Sequence, residues 1–180
     1  AILLIVVVPA LVLQYLASQN YAANQAVTHS YRVEGAVSAL RVELREIEQS
    51  AMILSMGAGT QRTRDRIRDA DVVLDKSMQD VIDLTQDNTA QQIRLGQLKE
   101  LIGRRLAVSR RIVQTPPDQA RPLLQELVLE LPVWPLLDEV LDTERVLLVQ
   151  RSQAAARQYR QAGWLRRGAT VVQVLLLTLV

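Results

Sequence analysis

Cysteine and phenylalanine are absent from this chain of 180 residues, which has only two tryptophans and one histidine. The lack of cysteine excludes disulfide bonds and thiolate metal ligands, and it leaves the redox compartment open. With a single histidine as well, no zinc site is expected. The apolar residues, 49% of the chain, are mainly Leu, Val, Ile and Ala. This composition favours packed helices over an aromatic-rich sandwich or enzyme core.

Sequence signatures of catalysis are missing too. Gly57-Ala58-Gly59 lacks the preceding strand and the lysine of a phosphate-binding loop, and no Gly-x-Ser-x-Gly occurs. Neighbouring carboxylates such as Glu46 and Glu48 lie on predicted amphipathic helices, without the pattern of a cleft. We therefore expect no catalytic residue, no bound metal and no cofactor in this chain.

Charge is nearly balanced, with a formal net charge of +2. Arginine is interleaved with aspartate and glutamate along the helices, whereas a nucleic-acid-binding surface would be clustered and one-sided. No nucleic-acid partner is expected. The densest charged cluster begins the second predicted helix, and such a run is usually a solvated face. It consists of Arg62, Arg64, Asp65, Arg66, Arg68, Asp69 and Asp71.

Both ends of the sequence are almost wholly apolar, over residues 1–17 and 169–180. A membrane-spanning helix needs about 20 such residues, and we interpret both runs as truncated transmembrane helices. A signal peptide with a cleavage site near Ala17-Ser18-Gln19 would explain the first run but not the second. The sequence therefore predicts a fragment of a membrane protein, with residues 18–168 as a domain between the two spans.

Two long helices with a heptad pattern frame this middle domain. Their core-facing residues are spaced alternately three and four apart, as in a left-handed bundle. Two further helices between them form a hairpin, and a short Leu-rich helix is predicted over residues 118–131. The expected fold class is all-α: an up-down four-helix bundle whose long first and last helices are continuous with the two transmembrane helices. The first seam is Ala26, Ser30, Val33, Val37, Leu40, Leu44, Ile47, Ala51 and Leu54, and the last is Leu137, Leu141, Glu144, Leu148, Arg151, Ala155, Gln158, Ala162 and Leu165.

The hairpin turns at Asp87-Asn88, between two runs of apolar residues at helical spacing. If Asn88 is the N-cap of the next helix, Gln91 falls at the third helical position. Its side chain then reaches back to the amide of the cap, as in a capping box. We therefore predict that one helix ends near Asp87 and that the next begins at once.

Two charged residues, Glu144 and Arg151, lie on the core-facing seam of the last helix. A buried charge must be paired. One interpretation is a polar layer that fixes the register of the bundle, with Arg41 or Glu48 as partners across it. The other is an anchor for a small charged ligand, or a layer that changes partners during signalling. The candidate ligand-binding residues are thus Arg41, Glu48, Glu144 and Arg151.

A motif runs through the hairpin and a second element follows on the last helix. The motif is Leu84, Thr85, Asp87, Asn88, Gln91 or Gln92, Arg94 and Leu95, and the later element is Glu144, Leu147, Leu148 and Arg151. Over most of residues 29–160 the chain resembles the CHASE3 family of helical sensor domains. The family's Gly-Gln-Arg-Gly-Tyr-Leu-Leu is replaced here at residues 48–54, where only Gln49 and Leu54 agree. A ligand site formed by that stretch in relatives is therefore changed or absent here.

The resemblance implies an extracytoplasmic sensory domain, held in the bacterial inner membrane by a transmembrane helix on each side. It also implies a homodimer that responds to an unidentified small molecule or protein. The output domain that it favours most is a histidine kinase of a two-component system, followed by a diguanylate cyclase or a chemoreceptor tail. The competing hypothesis is a non-sensory helical membrane scaffold.

Overall fold

Every regular element in the computed structural model is helical over residues 2–178, the part of the chain that the structure describes. Side chains are described without a gap over residues 14–165 and at scattered positions outside that range. The all-α fold class is therefore confirmed for this part of the chain. The elements are α1 (Ile2–Ser55), α2 (Gln61–Arg68), α3 (Ala70–Leu84), α4 (Thr89–Gln114), a 3₁₀ turn (Pro117–Gln119), α5 (Arg121–Gln125), a π-helical turn (Glu126–Glu130) and α6 (Val133–Thr178).

The chain divides into two compact units, and α1 and α6 each contribute to both. The central unit comprises Arg32–Glu144, and the end unit comprises the chain up to Tyr31 and from Arg145 onward. Apart from Ala155, the buried apolar side chains among the described residues all belong to the central unit. The hydrophobic core of the described chain is therefore the core of the central unit.

In the central unit, the core-facing side of α1 follows the heptad spacing that the sequence predicts. Residues three or four apart lie on one side of a helix, and each member of this row is at most 7% exposed. Burying one aliphatic side chain of this size contributes about 1.5–3 kcal/mol, so the row is a principal source of stability. Its members are Val33, Val37, Leu40, Leu44, Ile47, Ala51 and Leu54.

The second predicted helix is two helices in the structure, α2 and α3, which are separated at Asp69. There the backbone turns to φ −92° and ψ 4°. Aspartate tolerates such a break because its short polar side chain competes with helical hydrogen bonds. At the start of α2, the Thr60 hydroxyl accepts a hydrogen bond from the backbone N–H of Thr63, so Thr60 is the cap. Along α2 and α3 the residues at heptad spacing face the core: Ile67, Ala70, Leu74 and Val81 are buried, and Ser77 and Leu84 are half-buried.

The hairpin between α3 and α4 turns where the sequence predicts. α3 ends at Leu84, and α4 begins at Thr89 directly after its N-cap, Asn88. The side-chain oxygen of Asn88 accepts a hydrogen bond from the backbone N–H of Gln91 at 3.1 Å. This contact confirms the predicted cap, because it satisfies one of the amide groups that a helix start leaves without a helical partner.

The segment between α4 and α6 is irregular, where a single short helix over residues 118–131 is predicted. α4 ends at Gln114 because Thr115, which precedes Pro116, is extended at φ −100° and ψ 137°. The 3₁₀ turn, α5 and the π-helical turn follow, and they carry Leu127 into the core. Because a π-helical turn interrupts the regular hydrogen-bond ladder, its backbone carbonyl groups need other donors.

The last helix, α6, begins at Val133 and includes Pro135 in its first turn. Proline is compatible with the first turn, where its missing N–H would have no helical partner. The helix then continues to Thr178. Of the predicted seam, Leu137, Leu141, Glu144 and Ala155 are buried, Leu148, Arg151, Gln158 and Ala162 are half-buried, and Leu165 is exposed.

None of the helices in the described part of the chain is both long enough and apolar enough to cross a membrane. Much of the two runs predicted as transmembrane helices, 1–17 and 169–180, lies outside the residues whose side chains the structure describes. Both segments stay predictions, as do the boundaries of the domain between them.

Candidate functional site

A buried polar contact joins the start of α4 to α6. The side-chain amide of Gln91 donates a hydrogen bond to Glu144 Oε1 at 2.7 Å, and the two residues are 0% and 4% exposed. The capping-box prediction is therefore wrong for the side chain of Gln91, which points into the core instead of back to Asn88. The physical reason is that the buried carboxylate of Glu144 needs a donor, and a charged hydrogen bond is stronger than a neutral one.

The neighbouring residue, Gln92, stabilises the hairpin itself. Its side-chain amide donates to the carbonyl of Ile82 at 3.0 Å and to the hydroxyl of Thr85 at 2.9 Å. Thr85 is 1% exposed, and its hydroxyl donates to the carbonyl of Val81 at 2.8 Å. The two glutamines thus have different roles: Gln92 holds the end of α3 against α4, whereas Gln91 contacts α6.

The two other residues of the hairpin motif lie at the surface. Asp87 is exposed in the turn. Arg94 is half-buried on α4, and its Nε lies 3.5 Å from a carboxylate oxygen of Glu139 on α6. An exposed ion pair of this kind contributes at most about 1 kcal/mol. The described contacts of Asn88, Gln91 and Arg94 therefore explain the motif by the structure of the hairpin and its attachment to α6.

The second buried polar cluster is centred on Arg105 of α4, which is 5% exposed. Its Nη1 donates to the backbone carbonyls of Leu127, at 2.8 Å, and of Leu131. Its Nη2 lies 3.2 Å from Glu48 Oε1 on α1. One guanidinium thus supplies donors to the π-helical turn and pairs with a carboxylate on α1. This arrangement uses the fixed fork of donors that arginine presents and lysine does not.

Burial lowers the pKa of the Arg105 guanidinium from its ordinary value, because a low-dielectric surrounding disfavours the charged form. The carboxylate of Glu48 acts in the opposite direction through its charge and its hydrogen bond. The contacts of this cluster join α4 to the π-helical turn, to Leu131 and to α1. Its chemistry is that of a fixed ion pair, which holds three segments of the central unit together.

In the central unit, two of the predicted ligand-binding residues have ion-pair partners. Glu48 pairs with Arg105, and Arg41 pairs with Asp138 at the start of α6. Ligand binding by Arg41, Glu48, Glu144 and Arg151 stays a prediction. Arg151 belongs to the end unit, where its guanidinium donates to the hydroxyl of Ser30.

Sequence reasoning missed Arg105, although a signal for it is present. Seven of the nine buried residues of α4 follow a strict heptad spacing, and this row has three polar members. A seam defined by apolar residues alone passes over them. A search that keeps the spacing and accepts polar residues would have found the row: Gln91, Leu95, Leu98, Ile102, Arg105, Ser109 and Ile112.

Within the described residues, no group of three or more histidine, aspartate and glutamate side chains is placed to hold a metal ion. The polar sites of the central unit are instead pairs of one cation or amide with one carboxylate.

Comparison with known proteins identifies the family. The CHASE3 domain matches residues 23–129, which include the α3–α4 hairpin and the Glu48–Arg105 pair. A search of curated proteins and a search of solved structures each gave no match. The matched range ends before Glu144, so the later element on α6 is not part of it. Because the match spans more than half of the chain, the chain belongs to the CHASE3 family, whose members are extracytoplasmic sensory domains found in receptors.

Proposed function

We propose that this chain is the sensory input domain of a bacterial membrane receptor. In this proposal it detects a periplasmic or extracellular stimulus and transmits it through the membrane to a cytoplasmic histidine kinase of a two-component system. The family supports the sensory role and the extracytoplasmic location. The apolar runs at residues 1–17 and 169–180 would anchor the domain in the inner membrane.

The observation that carries the proposal is the continuity of α6 from Val133 to Thr178. A helix of 46 residues extends about 69 Å at 1.5 Å per residue. A continuous helix transmits a piston, tilt or rotation, whereas a flexible joint would absorb it. Downstream of its first turn α6 contains no proline, and only Gly163 and Gly168 soften its backbone.

The contacts of α6 in the central unit supply a way to couple the hairpin to this movement. Glu144 is held by Gln91 at the start of α4, and Glu139 lies next to Arg94 on the same helix. A shift of α6 along or about its axis must change both contacts. The receptor would then have two states, which differ in the position of α6 and in these contacts. A stimulus that favours one position of α6 would change the relative populations of the two states.

We also propose that the helices form an up-down four-helix bundle and that the receptor is a homodimer. An exposed row along α1, opposite to the buried row, supports the second point. Its members have the heptad spacing of a helix–helix interface, and the larger apolar ones are 42–65% exposed. The row consists of Ser38, Val42, Arg45, Gln49, Met52 and Met56.

In this proposal the chain itself contributes no catalytic step, and the output chemistry lies in another part of the receptor. A diguanylate cyclase or a chemoreceptor tail would use the same helical transmission. A non-sensory scaffold would need no such transmission. The kind of output separates the kinase, the cyclase and the chemoreceptor, and a dependence of that output on α6 separates all three from the scaffold.

The test is to insert one, two, three or four alanines after Gly163 in the receptor and to measure autophosphorylation in native membranes. Each alanine rotates the downstream helix by about 100°, so basal kinase output should vary with the number inserted. Four alanines should nearly restore the original phase. An insertion of two glycines at the same point should uncouple output while the circular dichroism stays unchanged.

Output that is the same for all insertions would contradict transmission through α6. If the receptor forms cyclic diguanylate and is not phosphorylated, its output domain is a diguanylate cyclase and not a histidine kinase. A complete lack of regulated output would favour the scaffold.

A further inference from the structure

We propose that a cavity between α2 and α4 is a binding site for a small carboxylate with an apolar body. The inference deepens the proposed sensory function, and it rests on that function only in making the bound molecule a stimulus. The cavity has a volume of about 290 Å³. It lies entirely in the central unit, and its lining consists of Gln61, Arg64, Ile67, Arg68, Arg110, Val113 and Gln114.

The apolar residues of the cavity lining are Ile67 of α2 and Val113 of α4. Ile67 is 0% exposed and belongs to the core, so the apolar surface that a ligand can contact is that of half-buried Val113 and of the methylene groups of the lining arginines. The volume is close to the lower limit of ligand pockets, which is about 300 Å³. This space suits a single ring or a short aliphatic chain. A small anion without an apolar part, such as phosphate, would gain nothing from these apolar residues, because they offer it no hydrogen bond.

The charged part of the cavity is positive, since three arginines and no carboxylate are among its lining residues. The backbone N–H of Arg64 donates to the carbonyl of Thr60, but its side chain has neither an ion pair nor a hydrogen bond within the described part of the chain. Arg110 uses its Nη2 for the carbonyl of Arg68 and the carboxylate of Asp71. Because a guanidinium has five N–H groups, Arg64 and Arg110 keep donors available for a carboxylate.

Arg68 has a supporting role. Its Nε lies 3.0 Å from Asp69 and its Nη2 lies 2.9 Å from Asp65. The hydrogen bond with Asp69 is the largest cause of its raised pKa. These two carboxylates fix the side chain at the rim without entering the cavity lining. They also moderate the repulsion among the three cations, which would otherwise oppose their approach.

The charged run at residues 62–71 is therefore more than a solvated face. A solvated face requires only residues of one helix, whereas here α4 contributes a cation and an apolar side chain opposite those of α2. Arginine binds carboxylates through bidentate hydrogen bonds and stacks on planar rings. The combination favours an aromatic or short aliphatic carboxylate over a neutral ligand.

Occupation of this site would act on α1 as well. Arg66 on α2 pairs with Glu46 on α1 at 2.9 Å, and the short segment 56–60 connects α1 to α2. A ligand that bridges α2 and α4 would hold α2 in one position, and α1 would respond through these connections. This is a route from the cavity to one of the long helices.

The test uses the whole chain in lipid nanodiscs and isothermal titration calorimetry with benzoate, benzamide and inorganic phosphate. Benzamide has the same shape as benzoate without the charge, and phosphate has the charge without the apolar body. Benzoate should bind saturably at one site and more tightly than either. Arg64→Gln should weaken benzoate binding about tenfold or more, the loss of one charged hydrogen bond.

The matched control is Arg104→Gln, an exposed arginine of α4 that does not line the cavity. It should bind benzoate like the original chain. Arg64→Gln tests binding without disturbing the fold, because the side chain is exposed and makes no ion pair or hydrogen bond within the described residues. Arg110→Gln is the second variant, and its thermal midpoint must be measured because it also loses the contact with Asp71.

A second titration with butyrate tests the short aliphatic members of the proposed class, and binding of butyrate alone would support the site with an aliphatic ligand. The site is overturned if benzoate and butyrate both fail to bind, or if benzamide or phosphate binds as tightly as benzoate. Benzoate binding that Arg64→Gln and Arg110→Gln leave unchanged would overturn it as well. Specific binding that has no effect on receptor autophosphorylation would support the site and contradict its sensory role. Regulated output that survives in Arg64→Gln, although this variant no longer binds benzoate, would support the receptor and reject the cavity as the site of its stimulus.

Discussion

The side-chain amide of Gln91 and the carboxylate of Glu144 form a buried hydrogen bond of 2.7 Å between α4 and α6. The contact is not fully matched, since Gln91 Oε1 has no hydrogen-bond partner within the described part of the chain. A buried polar group that is only partly satisfied costs free energy. The contact joins α4 to α6 while one of the polar atoms of Gln91 is left without a partner, so its net contribution to stability is smaller than that of a fully satisfied pair.

The first prediction concerns this pair. Glu144→Leu should destabilise the chain by about 1–3 kcal/mol, because it leaves the amide of Gln91 buried without its acceptor. The double variant Gln91→Leu/Glu144→Leu removes both polar groups and should be nearly as stable as the original chain, or more stable. Urea unfolding followed by circular dichroism measures both.

The matched control for the first prediction is Gln97→Leu. Gln97 is an exposed residue of α4, the helix that carries Gln91, and its replacement should change the free energy of unfolding by less than about 0.5 kcal/mol. If the effects of Gln91→Leu and Glu144→Leu simply add in the double variant, the two side chains are not coupled as the structure shows.

The second prediction concerns Arg105. Replacement by methionine keeps most of the side-chain volume but removes the donors to Leu127 and Leu131 and the partner of Glu48. Breaking a buried ion pair by removing one partner costs about 3–5 kcal/mol. Arg105→Met should therefore lower the free energy of unfolding by about that amount, measured by the same urea titration.

Two observations would identify the cause of this loss. Arg111→Met removes the exposed partner of Glu126 from the same helix, and it should cost at most about 1 kcal/mol. Glu48→Gln/Arg105→Met should be more stable than Arg105→Met alone, because no unpaired carboxylate remains. Equal effects of Arg105→Met and Arg111→Met would mean that burial of the guanidinium adds nothing.

The buried row of α1 could be predicted from the sequence, whereas Arg105 could not be found by the same reasoning. The row of α1 is apolar from Val33 to Leu54, so its spacing alone defines the core-facing side. Arg105 lies at an equally regular position, but an arginine is normally solvent-exposed. What makes its burial favourable is a π-helical turn whose carbonyl groups need donors, and such a turn has no sequence signature.

The break at Asp69 and the cavity beside it escaped prediction for a related reason. No glycine or proline marks the break, and the neighbouring charges are those of an ordinary surface helix. The cavity depends on the placement of Val113 opposite Ile67, two residues that are far apart in the sequence. Only the packing of α2 on α4 brings them together, and helical periodicity within each segment contains no information about it.

The third prediction concerns the cap of α4. Asn88→Ala removes the acceptor for the backbone N–H of Gln91 and should cost about 1 kcal/mol. Asn88→Asp should retain the stability, since aspartate caps helices equally well. Thr89→Ala, at the exposed first position of the helix, is the control and should have little effect. A thermal midpoint that is the same for Asn88→Ala and Thr89→Ala would contradict the cap.

The last prediction concerns the homodimer and uses the absence of cysteine from the chain. In native membranes, a short bismaleimide should cross-link Val42→Cys between two copies, because Val42 is 55% exposed and lies in the heptad row of α1. Met52→Cys, ten residues further along that row, should do the same. Val72→Cys, which is 76% exposed on α3, should remain monomeric on a denaturing gel. Val72 is the more accessible of the two valines, so random collision would cross-link Val72→Cys at least as well as Val42→Cys. A higher yield for Val42→Cys is therefore explained by an interface along α1. Cross-linking of Val72→Cys without Val42→Cys would place the interface on another face.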